Sequence, residues 1–186
     1  MSLSLSSHSP VNPPVYCFKR REHLPPRSKS LWQIRAGQVR LSTISDDASL
    51  ITLGFWEVGD FVGLPLAAIE PFQIECLTNV EVAQISPNDC WDLQRVMLEH
   101  LGQMQELVRM RQGQILLRLK MLLNWLAIKF GQRIQQGRLI KLRLTHQQMA
   151  ETIGTSRVTV TRMILQLERS NFLSYSDQQW IILRNA

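Results

Sequence analysis

Cysteine is scarce in this chain of 186 residues, and no long apolar run crosses it. The three cysteines, Cys17, Cys76 and Cys90, are odd in number and widely spaced, which excludes a disulfide framework and the usual metal and iron–sulfur spacings. Neither a metal nor a cofactor is expected. The longest apolar stretch, residues 121–128, contains Asn124 and lies between Lys120 and Lys129. It falls far short of the roughly 20 residues a membrane span needs, so no membrane partner is expected. The first 14 residues are Ser/Pro-rich, with no apolar h-region, and read as a flexible leader rather than a secretory signal. Together with unpaired cysteines this gives a cytoplasmic expectation. Phosphate-loop and dinucleotide fingerprints are missing as well. His8, His23, His100 and His146 are scattered, and none stands near both an acid and a nucleophile. No reactive constellation can be assembled, so the chain is not expected to be an enzyme.

Acid is the other shortage, and it is local. Residues 109–186 hold 13 Lys+Arg and only 3 Asp+Glu, whereas residues 1–108 hold 8 and 12. The overall charge of +6 therefore conceals a C-terminal part suited to a polyanion and an N-terminal part that is not.

The periodicity changes along the chain. From residue 15 to about 85, short β-type runs at 31–34, 39–43, 50–55 and 80–85 alternate with turn signals such as Ala36-Gly37, Asp46-Asp47 and Val58-Gly59-Asp60. Spacing near ten residues predicts a small all-β roll or sandwich over 15–86, with a hairpin around 44–50. Ser86-Pro87 then reads as a helix start. Over 87–112, Cys90, Gln94, Met97, Leu101, Met104, Val108 and Arg111 follow a 4-3-4-3 rhythm that continues to Ile115. Such a stripe packs either on the chain's own β domain or on a second copy. Its length and methionine content favour the copy, with Met97, Leu101, Met104 and Val108 as the dimer seam. Gly113 is the expected break before a second helix, about 114–130, which is apolar nearly all round and should be buried.

Within 113–186 the segment LTHQQMAETIGTSRVTVTRMILQLER, residues 144–169, carries the most functional information. Thr145 and Gln148 form a capping box, Gly154 supplies a tight turn, and Ser156 caps the next helix. Val160, Met163, Ile164 and Leu167 share an inward face, which leaves Arg157, Val158, Thr161 and Arg162 outward near the helix start. Arginine suits bidentate contact with guanine, and a Val or Thr methyl can touch the thymine methyl. Gln147, Ser156, Thr159, Lys141 and Arg143 are placed to contact phosphates, as are Arg133 and Arg138. The tail, with apolar runs at 172–175 and 180–183, reads as a β-hairpin wing. Trp32, Trp56, Trp91, Trp125 and Trp180 are expected in the core.

On these residues the chain resembles the Crp/Fnr family of bacterial transcription regulators. The Arg157-Val158-Thr159-Val160-Thr161-Arg162 string is most similar to the global nitrogen regulator branch. Leu31-Trp32-Gln33-Ile34, Gly37-Gln38-Val39-Arg40 and Gly59-Asp60-Phe61-Val62-Gly63 resemble the family's β-roll. The resemblance implies an α+β chain: an N-terminal β-roll (cyclic-nucleotide-binding-like jelly roll), a long dimerisation helix and a C-terminal winged helix-turn-helix. It implies double-stranded DNA, a second copy and RNA polymerase as partners, with Arg157 and Arg162 as base readers. Val158 stands where much of the family has Glu, which implies a half-site unlike that of the catabolite activators. Cys17 alone does not make the oxygen-sensing branch's cysteine cluster, and the nitrogen branch's 2-oxoglutarate response is not carried over. The other class open to the sequence is a protein-interaction module whose degenerate roll docks a partner.

One departure is chemical. Cyclic-nucleotide binders of the family place Glu directly after the Gly of this Gly-Asp-Phe motif and an Arg later. Here Leu64 follows Gly63, and the shortened loop carries Glu70 with no Arg. Without those charge-assisted hydrogen bonds a cyclic phosphate has no anchor. Isothermal calorimetry with cAMP and cGMP should show no binding at micromolar concentrations.

Overall fold

The computed structural model describes residues 13–27, 29–46, 48–67, 69–90, 92–135, 137–175 and 181–183. Most of the expected leader, the turn of the wing, and Trp91 and Trp180 lie outside the described residues.

Eight strands build the N-terminal part: β1 (Val15–Phe18), β2 (His23–Leu24), β3 (Leu31–Ala36), β4 (Val39–Ile44), β5 (Leu50–Trp56), β6 (Phe61–Val62), β7 (Phe72–Cys76) and β8 (Val80–Ile85). They form two antiparallel sheets, ordered β1-β8-β3-β6 and β2-β7-β4-β5. Alternate residues of both sheets meet in one core, including Trp32, Ile34, Leu41, Trp56, Ile74 and Val82. The four runs with the clearest β texture are β3, β4, β5 and β8, and Ile44 pairs with Leu50 across the expected hairpin. β1, β2 and β6 are short and defined by pairing with their neighbours, whereas β7, not singled out from the sequence, alternates with Phe72, Ile74 and Cys76 inward.

Helix α1 (Leu93–Met110) packs Val96, His100, Leu107 and Met110 inward. Its start differs from the expected one. Ser86 caps a single 3-10 turn, Pro87–Asp89, and Asp92 caps α1 by accepting from Arg95 N. Proline at the first position and an acceptor before it suit either helix type, so the local signal did not separate them. The 4-3-4-3 stripe is also shorter than its sequence rhythm. Cys90 precedes α1 in a buried cluster with Leu31, Phe61 and Val96, and Arg111 follows the helix end. Gly113 takes a left-handed φ of 83°, which glycine adopts without strain, and separates α1 from α2 (Ile115–Lys129). Met97, Leu101, Met104 and Val108 remain on one exposed face of α1, with Val108 62% accessible.

The α2 helix buries Leu119, Leu122, Leu123, Leu126 and Ala127. Around it lie α3 (His146–Ile153), α4 (Arg157–Arg169) and a third antiparallel sheet. That sheet has the order β11-β12-β10-β9 and comprises β9 (Gly131–Ile134), β10 (Gly137–Ile140), β11 (Leu173–Tyr175) and β12 (Ile181–Leu183). The β11–β12 pair is the expected wing; the β9–β10 hairpin had no sequence signal beyond its glycines. Arg138, expected on phosphate, donates from Nη1 to Ala127 O at the end of α2, 3.1 Å away. Free carbonyls at a helix C-terminus attract a cation, and this one is close in sequence.

The helical part is docked on the roll. Phe55 of β5 and Leu77 belong to the same buried cluster as α2, α3 and α4. Beside this contact Arg40 of β4, 3% accessible, donates from Nε and Nη2 to Glu75 Oε2 of β7 at 3.0 and 2.7 Å, and from Nη1 to Glu151 of α3. Gln148 Nε2 donates to the other oxygen of Glu75 at 3.0 Å, and the hydroxyls of Thr52 and Thr152 meet at 3.0 Å. Arg111 donates to the carbonyls of Thr52, Glu151 and Thr152, and Lys129 Nζ to that of Phe55. Removing the cation of such a buried group strands its carboxylates, at a cost of about 3–5 kcal/mol. Arg40→Met should lower the urea midpoint accordingly, and adding Glu75→Gln with Glu151→Gln should recover most of the loss.

Candidate nucleic-acid interface

Both ends of α3 and the start of α4 are set by local chemistry. Thr145 Oγ1 accepts from Gln148 N at 3.1 Å, and Gln148 Oε1 accepts from Thr145 N at 2.9 Å. This reciprocal pair satisfies two donors that the first turn leaves free. Gly154, left-handed at φ 69°, closes α3 by donating its N–H to Ala150 O. Ala150 is buried where α4 crosses, and Ser156 caps α4 by accepting from Thr159 N at 3.2 Å.

With Val160, Ile164 and Leu167 buried, the first turns of α4 turn their other side to solvent. Val158 is 78% accessible, a large apolar side chain held at the surface beside the exposed Arg157 and Arg162. Thr161 lies on that side too but is half-buried, and its hydroxyl is engaged: it donates to Arg157 O at 3.0 Å and lies 2.9 Å from His146 Nδ1. The Ser156 and Thr159 hydroxyls bond each other at 2.9 Å at the helix start. Gln147 is exposed on α3, its Nε2 donating to Glu151 Oε1 at 2.8 Å. Lys141, exposed, and Arg143, half-buried, sit between β10 and α3. The start of α3 and the first turns of α4 are joined by the His146–Thr161 bond, while Lys141 and Arg143 precede α3 in the chain.

Two residues not singled out for this surface tie it together. His146, the first residue of α3, has Nε2 2.9 Å from the Tyr175 hydroxyl of β11. A consistent set of donors makes His146 a neutral Nδ1–H tautomer that donates to Thr161 and accepts from Tyr175. Burial, and then the charge of Arg157, lowers the His146 pKa below its usual 6.5. Burial, and then Glu168, pushes the Tyr175 phenol up to about 12. The wing is thereby linked to the helix start through an uncharged relay. Only the sequence spacing of Thr145 and Gln148 hinted at an ordered α3 start; the pairing with Tyr175 needed the fold.

A separate hollow of about 230 Å³ lies between the roll and α1, lined by Leu41, Leu53, Trp56, Phe72, His100 and Met104 among others. Among the described residues its lining has no Lys, Arg, Asp or Glu, and burial lowers the pKa of His100, whose Nε2 lies 2.8 Å from Phe61 O. Trp56 Nε1 is buried with no hydrogen-bond partner among the described residues. Among the described residues no group of His, Cys, Asp and Glu could hold a metal, and no helix is long and apolar enough to cross a membrane.

A roll, a long helix and a helix-turn-helix flanked by a strand hairpin define a DNA-binding transcription regulator. Residues 114–186 match the family described as the Crp-like helix-turn-helix domain. The chain is 32% identical to the regulatory protein CysR of Synechococcus elongatus over 188 aligned positions, covering 97% of this chain and 90% of that one. It is 42% identical to the global nitrogen regulator of Synechocystis over 50 residues, 27% of this chain and 22% of the other. Its fold matches FixK2 from Bradyrhizobium japonicum, with a TM-score of 0.79, 16% identity and 93% of each chain covered. A Crp-family regulator from Thermus thermophilus matches at TM-score 0.77 and 21% identity, over 91% of this chain and 92% of that one. The chain belongs to the Crp/Fnr family of transcription regulators.

The buried His100 and the half-buried His146 both bear on acid stability. Unfolded, each takes a proton near 6.5, while the folded ring resists it. The folded state therefore binds fewer protons below that pH and loses stability as pH falls through it. The denaturation midpoint should decline from pH 7 to pH 5, and less steeply in a His100→Asn/His146→Asn variant.

Proposed function

We propose that the protein acts as a homodimer on a pseudo-palindromic operator, with α4 of each protomer entering the major groove of one half-site. The observation that carries this reading is the first turns of α4: Arg157, Val158 and Arg162 stand exposed while Val160, Ile164 and Leu167 are buried. Arg157 and Arg162 contact guanine edges, and Val158 packs on a neighbouring base. Thr161, whose hydroxyl is already engaged, offers its methyl. Gln147, Ser156, Thr159, Lys141 and Arg143 fix the register on phosphates.

Dimer formation rests on the exposed Met97, Leu101, Met104 and Val108 face of α1. Left in water in a monomer, that stripe gains by pairing with its copy. Two protomers set this way place their half-sites about one helical turn apart. Leu64 after Gly63, and Glu70 in place of an Arg, support regulation independent of cyclic nucleotides. The protein then works in the cytoplasm with RNA polymerase as the eventual partner, and it performs no catalysis.

Selection of bound fragments from random DNA tests the symmetry and the half-site together. A symmetric site with no enrichment at the Arg157 position would sink the assignment. On the selected site, Arg157→Ala or Arg162→Ala should cost about 1–3 kcal/mol and relax one base position. Lys141→Ala should weaken all sequences alike and reduce the salt dependence. A protein-interaction module would show little salt-dependent DNA binding in the same gel shifts.

A further inference from the structure

Resting on the reading of α4 as the recognition helix, we propose that His146 and Tyr175 are positioning residues for base specificity. They hold the Thr161 hydroxyl on the protein side, so that Thr161 selects thymine by its methyl group alone.

Three hydrogen bonds in series carry this. The Tyr175 hydroxyl, on β11, lies 2.9 Å from His146 Nε2, and His146 Nδ1 lies 2.9 Å from Thr161 Oγ1. Thr161 Oγ1 in turn donates to Arg157 O at 3.0 Å. The last acceptor is a carbonyl, which fixes the direction of the whole series. Thr161 gives its single proton to Arg157 O, so toward His146 it can only accept, and the ring proton sits on Nδ1. Nε2 is left as an acceptor, and Tyr175 donates to it. The series runs one way, from the wing through α3 to α4, with each donor matched to an acceptor.

The helix starts do not need this series. Thr145 already caps α3 and Ser156 already caps α4, each by its own side chain. Nor is His146 placed there for charge. Burial and then Arg157 lower its pKa below 6.5, so at pH 7 the ring is neutral and gives a phosphate no ion pair. What the series does change is the chemistry that Thr161 offers. A free threonine hydroxyl reads bases ambiguously, because it can donate or accept. With its proton on Arg157 O it cannot donate to guanine O6, thymine O4 or a purine N7. Its oxygen is held by two bonds, one to α3 and one to the backbone of α4. The methyl is the free end of the side chain, and its apolar match in the major groove is the thymine C5-methyl. Tyr175 contributes by fixing the ring and its tautomer, which makes a wing residue part of base selection without touching a base.

The experiment uses the operator selected from random DNA, with each thymine of one half-site replaced in turn by deoxyuridine, which lacks only the C5-methyl. At the thymine that Thr161 meets, the full-length parent should lose about fourfold in affinity, as for one methyl kept from water. Thr161→Val retains the methyl and should show the same loss, whereas Thr161→Ser should bind thymine and deoxyuridine alike at that position. His146→Asn, whose amide N–H stands in for Nδ1–H, should preserve the difference. His146→Gln, whose amide reaches Tyr175 but not Thr161, should abolish most of it. Tyr175→Phe should weaken the difference and mix the two His146 tautomers in imidazole nitrogen NMR, where the parent shows Nδ1–H alone. The Thr161 and Tyr175 variants keep the test available if position 146 resists change. A parent indifferent to every deoxyuridine replacement would overturn the proposal, and so would an undiminished difference in Thr161→Ser or His146→Gln, or a parent Nε2–H tautomer. Those outcomes leave the recognition helix standing; a selection that yields no specific site would remove that reading and this one with it.

Discussion

A buried guanidinium on a sheet strand is tolerable only between carboxylates, and Arg40 has two, from different parts of the chain. Glu75 comes from the adjacent strand of its own sheet, Glu151 from α3. That arrangement makes one ion-pair group the junction between roll and helix-turn-helix. Gln148 fills the remaining oxygen of Glu75 while also serving as an arm of the α3 capping box. The start of α3 and its seat on the roll are consequently one structure. Apolar burial of Phe55 and Leu77 supplies the non-directional part of this contact, and the ion pairs supply its orientation.

From this seat the rest of the surface follows. α3 fixed on the roll fixes α4 through Gly154 and Ala150, and α4 then carries Arg157, Val158 and Arg162 outward. The His146 relay holds the wing strand to the same end. The charge asymmetry of the sequence gains a finer meaning here. Part of the C-terminal excess of cations, Arg157 and Arg162, stands exposed on α4.

Much of this was legible in the residues. The strands at 31–36, 39–44, 50–56 and 80–85 announce themselves because each has one face that must be buried. The helix-turn-helix is legible because caps and a left-handed glycine act within four or five residues. The stripe of Met97, Leu101, Met104 and Val108 was legible as a rhythm, but its ends were not. Cys90 and Arg111 share the spacing without sharing the helix, since periodicity does not register where a helix begins. Ser86 was misplaced for a related reason, because a cap signal does not distinguish a 3-10 turn from an α-helix.

The sequence by itself determined the local elements, the inward and outward faces of α4, and the family to which they belong. Those depend on spacings of three, four or two residues, which the chain carries in its order. Tertiary structure alone decided which partners Arg40, Arg138 and His146 meet. Their partners are up to 111 positions away, as in the Arg40–Glu151 pair, and a charge has no sequence signature for which distant charge it will meet. Folding brings such groups within about 3 Å, where low dielectric makes the pairing strong and its absence costly.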